Sequence, residues 1–585
     1  MTLQIVRRIC APDSQALPPQ LHPVLQRAYA ARGVRSALEL DHSLERLLPV
    51  GTLAGVEEAV TLLLAHRSAG RVLVIGDFDA DGATSTALMV RAMRAWGFAG
   101  VDFLVPNRFK FGYGLTPEIV ELAGTRTPSL IVTVDNGISS LAGVSAARAC
   151  GIDVLITDHH LPGAALPAAN VIVNPNLPGS RFGSSALAGV GVAFYVMAAV
   201  KRRLDAQRAL GAAAPGVAEF LDLVALGTIA DVVALDFNNR VLVTQGLKRI
   251  RAGRCVAGIR ALLKLAARDS ADLTAADLAF AVAPRLNAAG RIDDMKIGIE
   301  CLLADDAAAA FVLATRLDEL NQERRLIEAR MQTEALAAVQ RLQATSLRPL
   351  HRNGVSLFDE TWHQGVVGLV ASRVKERVRR PVFAFARAED ATLRGSGRSI
   401  AGVHIRDVLD SIATRHPGLI VRFGGHAMAA GLTLEFEQLE PFARAFDAEV
   451  GRCLAAAQRS DSIETDGELA VEEIGLETAA ALRGGGPWGQ AFPEPSFDGV
   501  FVIRRARIVG ERHLKMWVEV PRSGRAFDAI AFNYIGADGS ASLPEGTAQL
   551  VYRLDVNVYQ GERRLQLLVD HVLPCAAVAI GVHPD

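Results

Sequence analysis

From residue 70 to about 175 the sequence alternates short β-rich apolar runs with helical patterns: RVLVIGD, TSTALMVRAMRAW, VDFLVP, TPEIVELA, LIVTVD, LAGVSAARAC, DVLITD and VIVNP. Strands separated by helices pair in parallel, so the alternation predicts βαβ units and an α/β fold on a parallel sheet. In open sheets of this kind, ligands bind outside the carboxyl ends of the strands. Four of the runs end there in acidic or polar loops, which makes that edge the candidate site.

The rest of the chain reads as further pieces. Residues 185 to 300 are mostly helical in pattern, and GVGVAF at 189–194, which lacks the last glycine of a dinucleotide fingerprint, reads as helix packing. ADDAAAAFVLATRLDELNQERRLIEARMQTEALAAVQRLQ holds neither Gly nor Pro and predicts one connecting helix about 50–60 Å long. A second α/β segment begins near 350 with GVSLFDETWHQGVVGLVASRVKERV and runs through PVFAFA and GSGRSIAGVHIRDVL to the glycine-rich RFGGHAMAAGL. From about 465, spaced β runs (FDGVFVIRRARIVG, HLKMWVEVP, FDAIAFNY, TAQLVYRLDVNVYQ and RRLQLLVD) predict a small antiparallel barrel, with Trp517 and Tyr559 read as core. At 585 residues, half of them hydrophobic, the chain has length for three or four domains.

Charge and cysteine usage exclude several classes. Lys plus Arg (62) nearly cancels Asp plus Glu (63), so any basic, nucleic-acid-facing surface must be local. The six cysteines lie far apart without a CxxC pair, which argues against a zinc site or a disulfide framework and for a cytoplasmic protein. The first residues, MTLQIVRRICAPDSQALPPQLHP, turn polar and proline-rich before a signal-like core forms. No stretch approaches the ~20 apolar residues of a membrane span, so no membrane association is expected.

The chemistry gathers at the strand ends. Asp77, Asp79 and Asp81 follow the first strand in GDFDADG, Asp135 follows LIVTV, Asp158, His159 and His160 follow VLIT, and Asp231 sits in ALGTIADVVAL. In a parallel sheet these loops leave by one edge, so carboxylates and imidazoles converge. At 4 Å and an effective dielectric of about 20, each like-charge pair costs roughly 4 kcal/mol, which divalent cations would offset. Oxygen ligands with an imidazole favour Mn²⁺ or Mg²⁺ over a thiolate-loving metal. A single Asp after a strand is more often a helix cap or turn former, and Asp77 can be read that way. Capping does not account for DFDADG, VDNG, DHH and ADVV in that order.

This ordered set resembles the DHH phosphoesterases, in their single-strand-specific exonuclease branch. The resemblance covers nearly the whole chain through GDFDADGATSTAL, VPNRFKFGYGL, VTVDNGISS, TDHHLPG, ALGTIADVV, PRLNAAGR, WHQGVVGLVASR, GSGRSI, FGGHAMAAGL and PWGQAFPEP. It implies an N-terminal segment (1–65), a DHH catalytic domain (66–300), a long connecting helix (301–345), a DHHA1 domain (346–455) and an OB-fold barrel (465–575) around a central opening. Asp79, Asp81, Asp135, His159 and Asp231 match the family's ligands for two divalent cations, Mn²⁺ or Mg²⁺. Asp158 and Asp77 match supporting positions, and His160 a phosphate contact. The implied reaction is two-metal hydrolysis of phosphodiesters, 5′ to 3′, releasing mononucleotides from single-stranded DNA in recombination and repair.

Substrate contacts follow the same resemblance. Arg108, Arg285, Arg291, Ser372, Arg373, Arg398 and His426 are donors on glycine-rich motifs suited to phosphate, and Tyr113 is a candidate for base stacking, which is worth roughly 1–3 kcal/mol per base. A RecQ-type helicase and a single-strand-binding protein are the implied partners, and a monomer the expected state. Two rival readings are a phosphodiesterase for short oligonucleotides or cyclic dinucleotides, which needs no barrel, and an inactive DNA-binding scaffold, which needs no metal set.

Overall fold

The chain's first strand, β1 (Gln4–Arg7), finds its partner near the other end of the sequence, in parallel register with Ser462–Thr465. The structure is a computed structural model, and it describes residues 4–8, 17–106, 114–344, 353–388, 392–425, 427–456, 462–510, 512–535, 543–559 and 562–574. It comprises two units, residues 1–318 with 462–585, and residues 319–461.

In the first unit, β2 (Arg71–Ile75), β3 (Gly100–Leu104), β4 (Leu130–Val134), β5 (Asp153–Thr157) and β6 (Val171–Val173) form a parallel sheet in the order β3-β2-β4-β5-β6. Every residue of β4 is buried, as expected of a central strand whose two faces are both covered and whose sequence is therefore a continuous apolar run. Chain order reverses between β2 and β4, so the loops after these strands diverge from a common crevice. Residues 185–300 are mostly helical as the sequence predicts, with helices Gly189–Ala206, Leu221–Ala230, Phe237–Arg251, Ala257–Leu265, Ala283–Ile292 and Lys296–Leu303. The long helix is continuous over Ala307–Ala344; its 38 residues at 1.5 Å each span about 57 Å.

The second unit carries a mixed sheet of β7 (Val355–Phe358), β8 (Val382–Arg387), β9 (Thr392–Arg398), β10 (Arg422–Gly425) and β11 (Ala429–Glu435), ordered β10-β11-β9-β8-β7. Phe383, Phe385, Phe442 and Phe446 pack edge-to-face and stacked in its core.

After β12 (Ser462–Thr465), strands β13 (Phe497–Val509), β14 (His513–Glu519), β15 (Ala526–Ala531), β16 (Gly546–Tyr559) and β17 (Glu562–Pro574) close a barrel in the order β13-β14-β15-β17-β16. The expectation of an antiparallel barrel needs one correction: β15 and β17 pair in parallel. That pairing closes the cylinder and leaves no free edge. Trp517 is also not core. It points outward from β14 and is 47% exposed. The side chain of Tyr559 lies outside the described residues.

The barrel is joined to the N-terminal segment by polar contacts that are buried or partly buried. Asp498, fully buried, accepts hydrogen bonds from Arg7 at 2.7 Å, Thr465 at 2.7 Å and Gln549 at 3.0 Å. Arg32 forks onto Asp466 at 2.7 and 3.0 Å, and Tyr29 donates to the Gly485 carbonyl at 2.7 Å. Among the described residues, no single helix is long and apolar enough to cross a membrane; one bent pair, Leu44–Thr52 with Val56–Ala65, meets that test by length and composition.

Candidate metal centre

Three loops at the carboxyl edge of the parallel sheet build the site. After β2, Asp79 is the cap of helix Ala80–Ala95: its side chain accepts from the Gly82 amide at 2.9 Å. The cap is therefore Asp79, where the sequence left that role to Asp77. Asp77 is buried beside the helix start and accepts from the Phe78 amide at 2.8 Å. Asp81 lies in the first turn, fully buried, and its carboxylate is gripped by another helix. The Gly189 and Val190 amides, at the N-terminus of Gly189–Ala206, donate to its two oxygens at 2.6 and 2.9 Å. Free N–H groups and the helix dipole favour an anion at that place.

After β4, Asp135 adopts a left-handed backbone (φ 62°), which few residues other than Gly, Asn and Asp tolerate. Its side chain abuts Gly189, where an added Cβ would sit 2.6 Å from the Asp135 Cβ. After β5, Asp158 accepts from the amides of Ile138 (2.9 Å), His159 (2.7 Å) and His160 (3.1 Å) and from the His160 ring Nδ1 at 2.7 Å. The ring that Asp158 orients is thus that of His160, whereas its bond to His159 is through the backbone. Asp231 arrives from a helix, as the residue that ends Leu221–Ala230.

These groups converge. Possible ligand atoms lie within 4.8 Å of one another in three overlapping sets: Asp81, His159 and Asp231; Asp135, His159 and His160; and Asp77, Asp79 and Asp135. His159 Nε2 stands 3.1 Å from an Asp135 oxygen and 3.5 Å from Asp231 Oδ2. Among the described residues, buried His159 Nε2 and Asp231 Oδ2 make no hydrogen bond. Burying such atoms without a partner costs about 1–3 kcal/mol each, so their shared direction suits a cation between them.

Electrostatics agree with that reading. Burial, with Asp231 and Asp79 as neighbouring charges, pushes Asp81 up to about 7. Burial and the Asp79 charge push Asp231 up to about 7. Asp135 is raised well above the ordinary carboxylate range by burial and by Asp81, Asp79, Asp231 and Asp77. Burial lowers His159, which keeps the ring in the neutral, metal-binding form. For the Asp158–His160 pair burial opposes both charges, yet the hydrogen bond between them prevails and sets Asp158 at about 2 and His160 at about 9. The edge thus gathers carboxylates that resist ionising together without a cation, beside one imidazolium held by Asp158.

Other residues proposed from sequence are placed as follows. Arg285 is held by Asp318 at 2.7 Å and by the Ala281 carbonyl, and its side chain is 11% exposed. Arg291 lies in the last turn of Ala283–Ile292. Ser372 and Arg373 lie on helix Val367–Val378 of the second unit, where Arg373 contacts Glu328 at 3.2 Å and Glu376 at 3.4 Å. Arg398 ends β9 and donates to the Gly397 carbonyl at 2.8 Å. Arg108, Tyr113 and His426 lie outside the described residues.

Sequence reasoning missed the uncharged residues that hold the loops. Gly189 and Val190 belong to the GVGVAF stretch read as mere helix packing, yet they supply the Asp81 grip. Within PRLNAAGR it is Asn287 that accepts from the Ala80 amide at 2.8 Å, and Gly290 that passes beneath Phe78, where a Cβ would be 1.7 Å from the carbonyl oxygen. The available signal was an Asn and a Gly at fixed places in a motif otherwise noticed for its arginines.

Residues 71–228 match the DHH family, N-terminal domain, 351–452 the DHHA1 domain and 465–571 the RecJ OB domain. The single-stranded-DNA-specific exonuclease RecJ of Escherichia coli (strain K12) is 52% identical over 576 residues, 97% of this chain and 99% of that protein. The chain belongs to the RecJ family. Two solved RecJ structures from Thermus thermophilus share the fold along 100% of this chain: the complex with Mn²⁺ (TM-score 0.81, 30% identity, 81% of that chain) and the complex with Mg²⁺ (TM-score 0.76, 28% identity, 80% of that chain). RecJ membership fits the donor set above, in which carboxylate oxygens dominate and imidazole completes each histidine-containing group.

Proposed function

We propose that this chain is a single-stranded-DNA-specific exonuclease that hydrolyses phosphodiester bonds 5′ to 3′ and releases 5′-mononucleotides. One observation carries the reading: Asp81, Asp135, His159 and Asp231 converge from separate segments onto one sheet edge and leave buried ligand atoms directed at one another. Asp79, Asp81, Asp135, His159 and Asp231 would hold two divalent cations, Mn²⁺ or Mg²⁺, the ions carried by the Thermus RecJ structures. Asp77, whose carboxylate lies close to those of Asp79 and Asp135, supports these ligands from behind. When bound, such cations activate water and screen charge developing on the phosphate and the leaving oxygen.

The chain's own residues do the rest. The amides of Gly189 and Val190 hold both oxygens of the Asp81 carboxylate in place. Asp158 keeps His160 protonated near neutral pH, and the resulting imidazolium pairs with a non-bridging phosphate oxygen. Arg108, Arg285, Arg291, Ser372, Arg373, Arg398 and His426 bind the 5′ end and backbone, and Tyr113 stacks on a base. The protein acts in the cytoplasm in recombination and repair as a monomer, fed by a RecQ-type helicase and a single-strand-binding protein. The barrel supports a polymer substrate over a dinucleotide, because a dinucleotide needs no holder outside the catalytic sheet.

Incubation with 5′-labelled single strands and Mn²⁺ releases labelled mononucleotide first. Initial release from a 3′ label, or equal cleavage of duplex ends, contradicts the assignment.

A further inference from the structure

The three residues of one ligand set, Asp81, His159 and Asp231, come from chain segments with no covalent reason to stay in register. Two asparagine side chains tie them. The Asn176 amide donates to the His159 carbonyl at 2.6 Å and to the Ser185 carbonyl at 3.2 Å. Ser185 lies four residues before the helix whose first amides hold Asp81. The Asn239 amide, fully buried, donates to the Ala186 carbonyl at 2.7 Å and to the Ala234 carbonyl at 2.9 Å, three residues beyond Asp231. Adjacent carbonyls, Ser185 and Ala186, are therefore tied through Asn176 to the His159 loop and through Asn239 to the segment that follows Asp231. Asn174 adds a bond to the His160 carbonyl at 2.9 Å and orders Asn176 by accepting from its amide at 2.7 Å.

From this we infer that Asn176 and Asn239 are positioning residues that set the spacing of the cation-binding atoms, acting through backbone carbonyls without touching cation or substrate. The inference rests on the proposed metal function. Each amide uses both its N–H groups on two different segments, which a residue serving only its own turn would not do. Bonds behind the ligands matter because clustered carboxylates repel one another, and the frame that holds the loops resists that repulsion.

The test is Mn²⁺ titration by calorimetry on the full chain, with Asn176→Asp, Asn176→Ala and Asn239→Ala. Asn176→Asp keeps the shape and turns a two-handed donor into an acceptor facing two carbonyls. Asn170→Ala is the control: its amide donates to Asp153 at 2.6 Å at the opposite end of the sheet, away from the ligands. The Asn176 and Asn239 variants should bind Mn²⁺ roughly 10- to 100-fold more weakly, as loss of supporting bonds does elsewhere. Saturating Mn²⁺ should restore most of kcat, with KM for single strands unchanged, and Asn170→Ala should bind Mn²⁺ like the unaltered chain. Unaltered Mn²⁺ affinity in folded Asn176→Asp and Asn239→Ala overturns the inference, as does an equal affinity loss in Asn170→Ala. Failure of the unaltered chain to bind Mn²⁺ overturns instead the metal function on which it rests.

Discussion

At the scale of single residues, the site is a set of carboxylates that the fold makes uncomfortable. Asp81 and Asp231 stand at about 7 and Asp135 well above its ordinary value, all raised by burial and mutual repulsion. Groups raised in the folded state contribute stability that is complete below their unfolded value of 3.8 and is lost as pH rises through 7. Metal-free protein should therefore lose stability between about pH 4 and 7, a loss that bound cation reverses. Asp231→Asn removes one of these charges at an oxygen that, among the described residues, accepts no hydrogen bond. In chelator at pH 8 the variant should melt above the unaltered protein, while Mn²⁺ should raise its Tm far less. Thermal melts with and without Mn²⁺ check both effects, and a lower Tm for metal-free Asp231→Asn contradicts the electrostatic account. The Asp158–His160 pair is nearly constant across this range: the Asp158 contribution is lost only as pH falls from 3.8 toward 2, and that of His160 as pH rises from 6.5 toward 9.

Secondary-structure elements explain what could be read in advance and what could not. The strand ends were legible because a run such as LIVTVDNG switches abruptly from apolar to acidic, and parallel pairing sends every such switch to one edge. Which carboxylate caps the helix was not legible: Asp77 and Asp79 are both short acceptors near its start, and only the loop's path decides. The partner of Asp81 was hidden for another reason. It is a pair of backbone amides more than 100 residues away, and amides leave no mark in a sequence. The glycine that allows this approach did leave one. Gly189→Ala places a Cβ 2.6 Å from that of Asp135, so the helix must back away from both carboxylates. Such overpacking costs about 1–3 kcal/mol. It should also lower kcat more than tenfold on the order seen when positioning fails, and a steady-state assay on single strands at saturating Mn²⁺ checks it.

For the molecule as a whole, the barrel shows where local sequence pattern stops. Its runs were legible one by one, but the parallel β15–β17 closure and the β1–β12 pairing are long-range choices that local pattern does not record. Because β1 pairs with β12 and Arg7 reaches the buried Asp498, the barrel and the catalytic sheet share one unit. Arg7→Ala leaves that carboxylate, among the described residues, with Thr465 and Gln549, and because Arg7 itself is one-third exposed it should cost about 1.5–3 kcal/mol in urea unfolding, the range for a hydrogen bond to a charged group. A loss below about 1 kcal/mol would mark the bridge as an ordinary surface pair.

The central claim is that the carboxylate and imidazole edge binds a pair of divalent cations and that cleavage depends on them. The most direct measurement is Mn²⁺ stoichiometry for the unaltered chain and for Asp135→Asn, each followed by turnover of a single-stranded oligonucleotide. The account predicts two Mn²⁺ per chain, with fewer bound and no detectable cleavage in the variant. Cleavage that persists in chelator, or an Asp135→Asn protein that keeps both ions and full turnover, would contradict it.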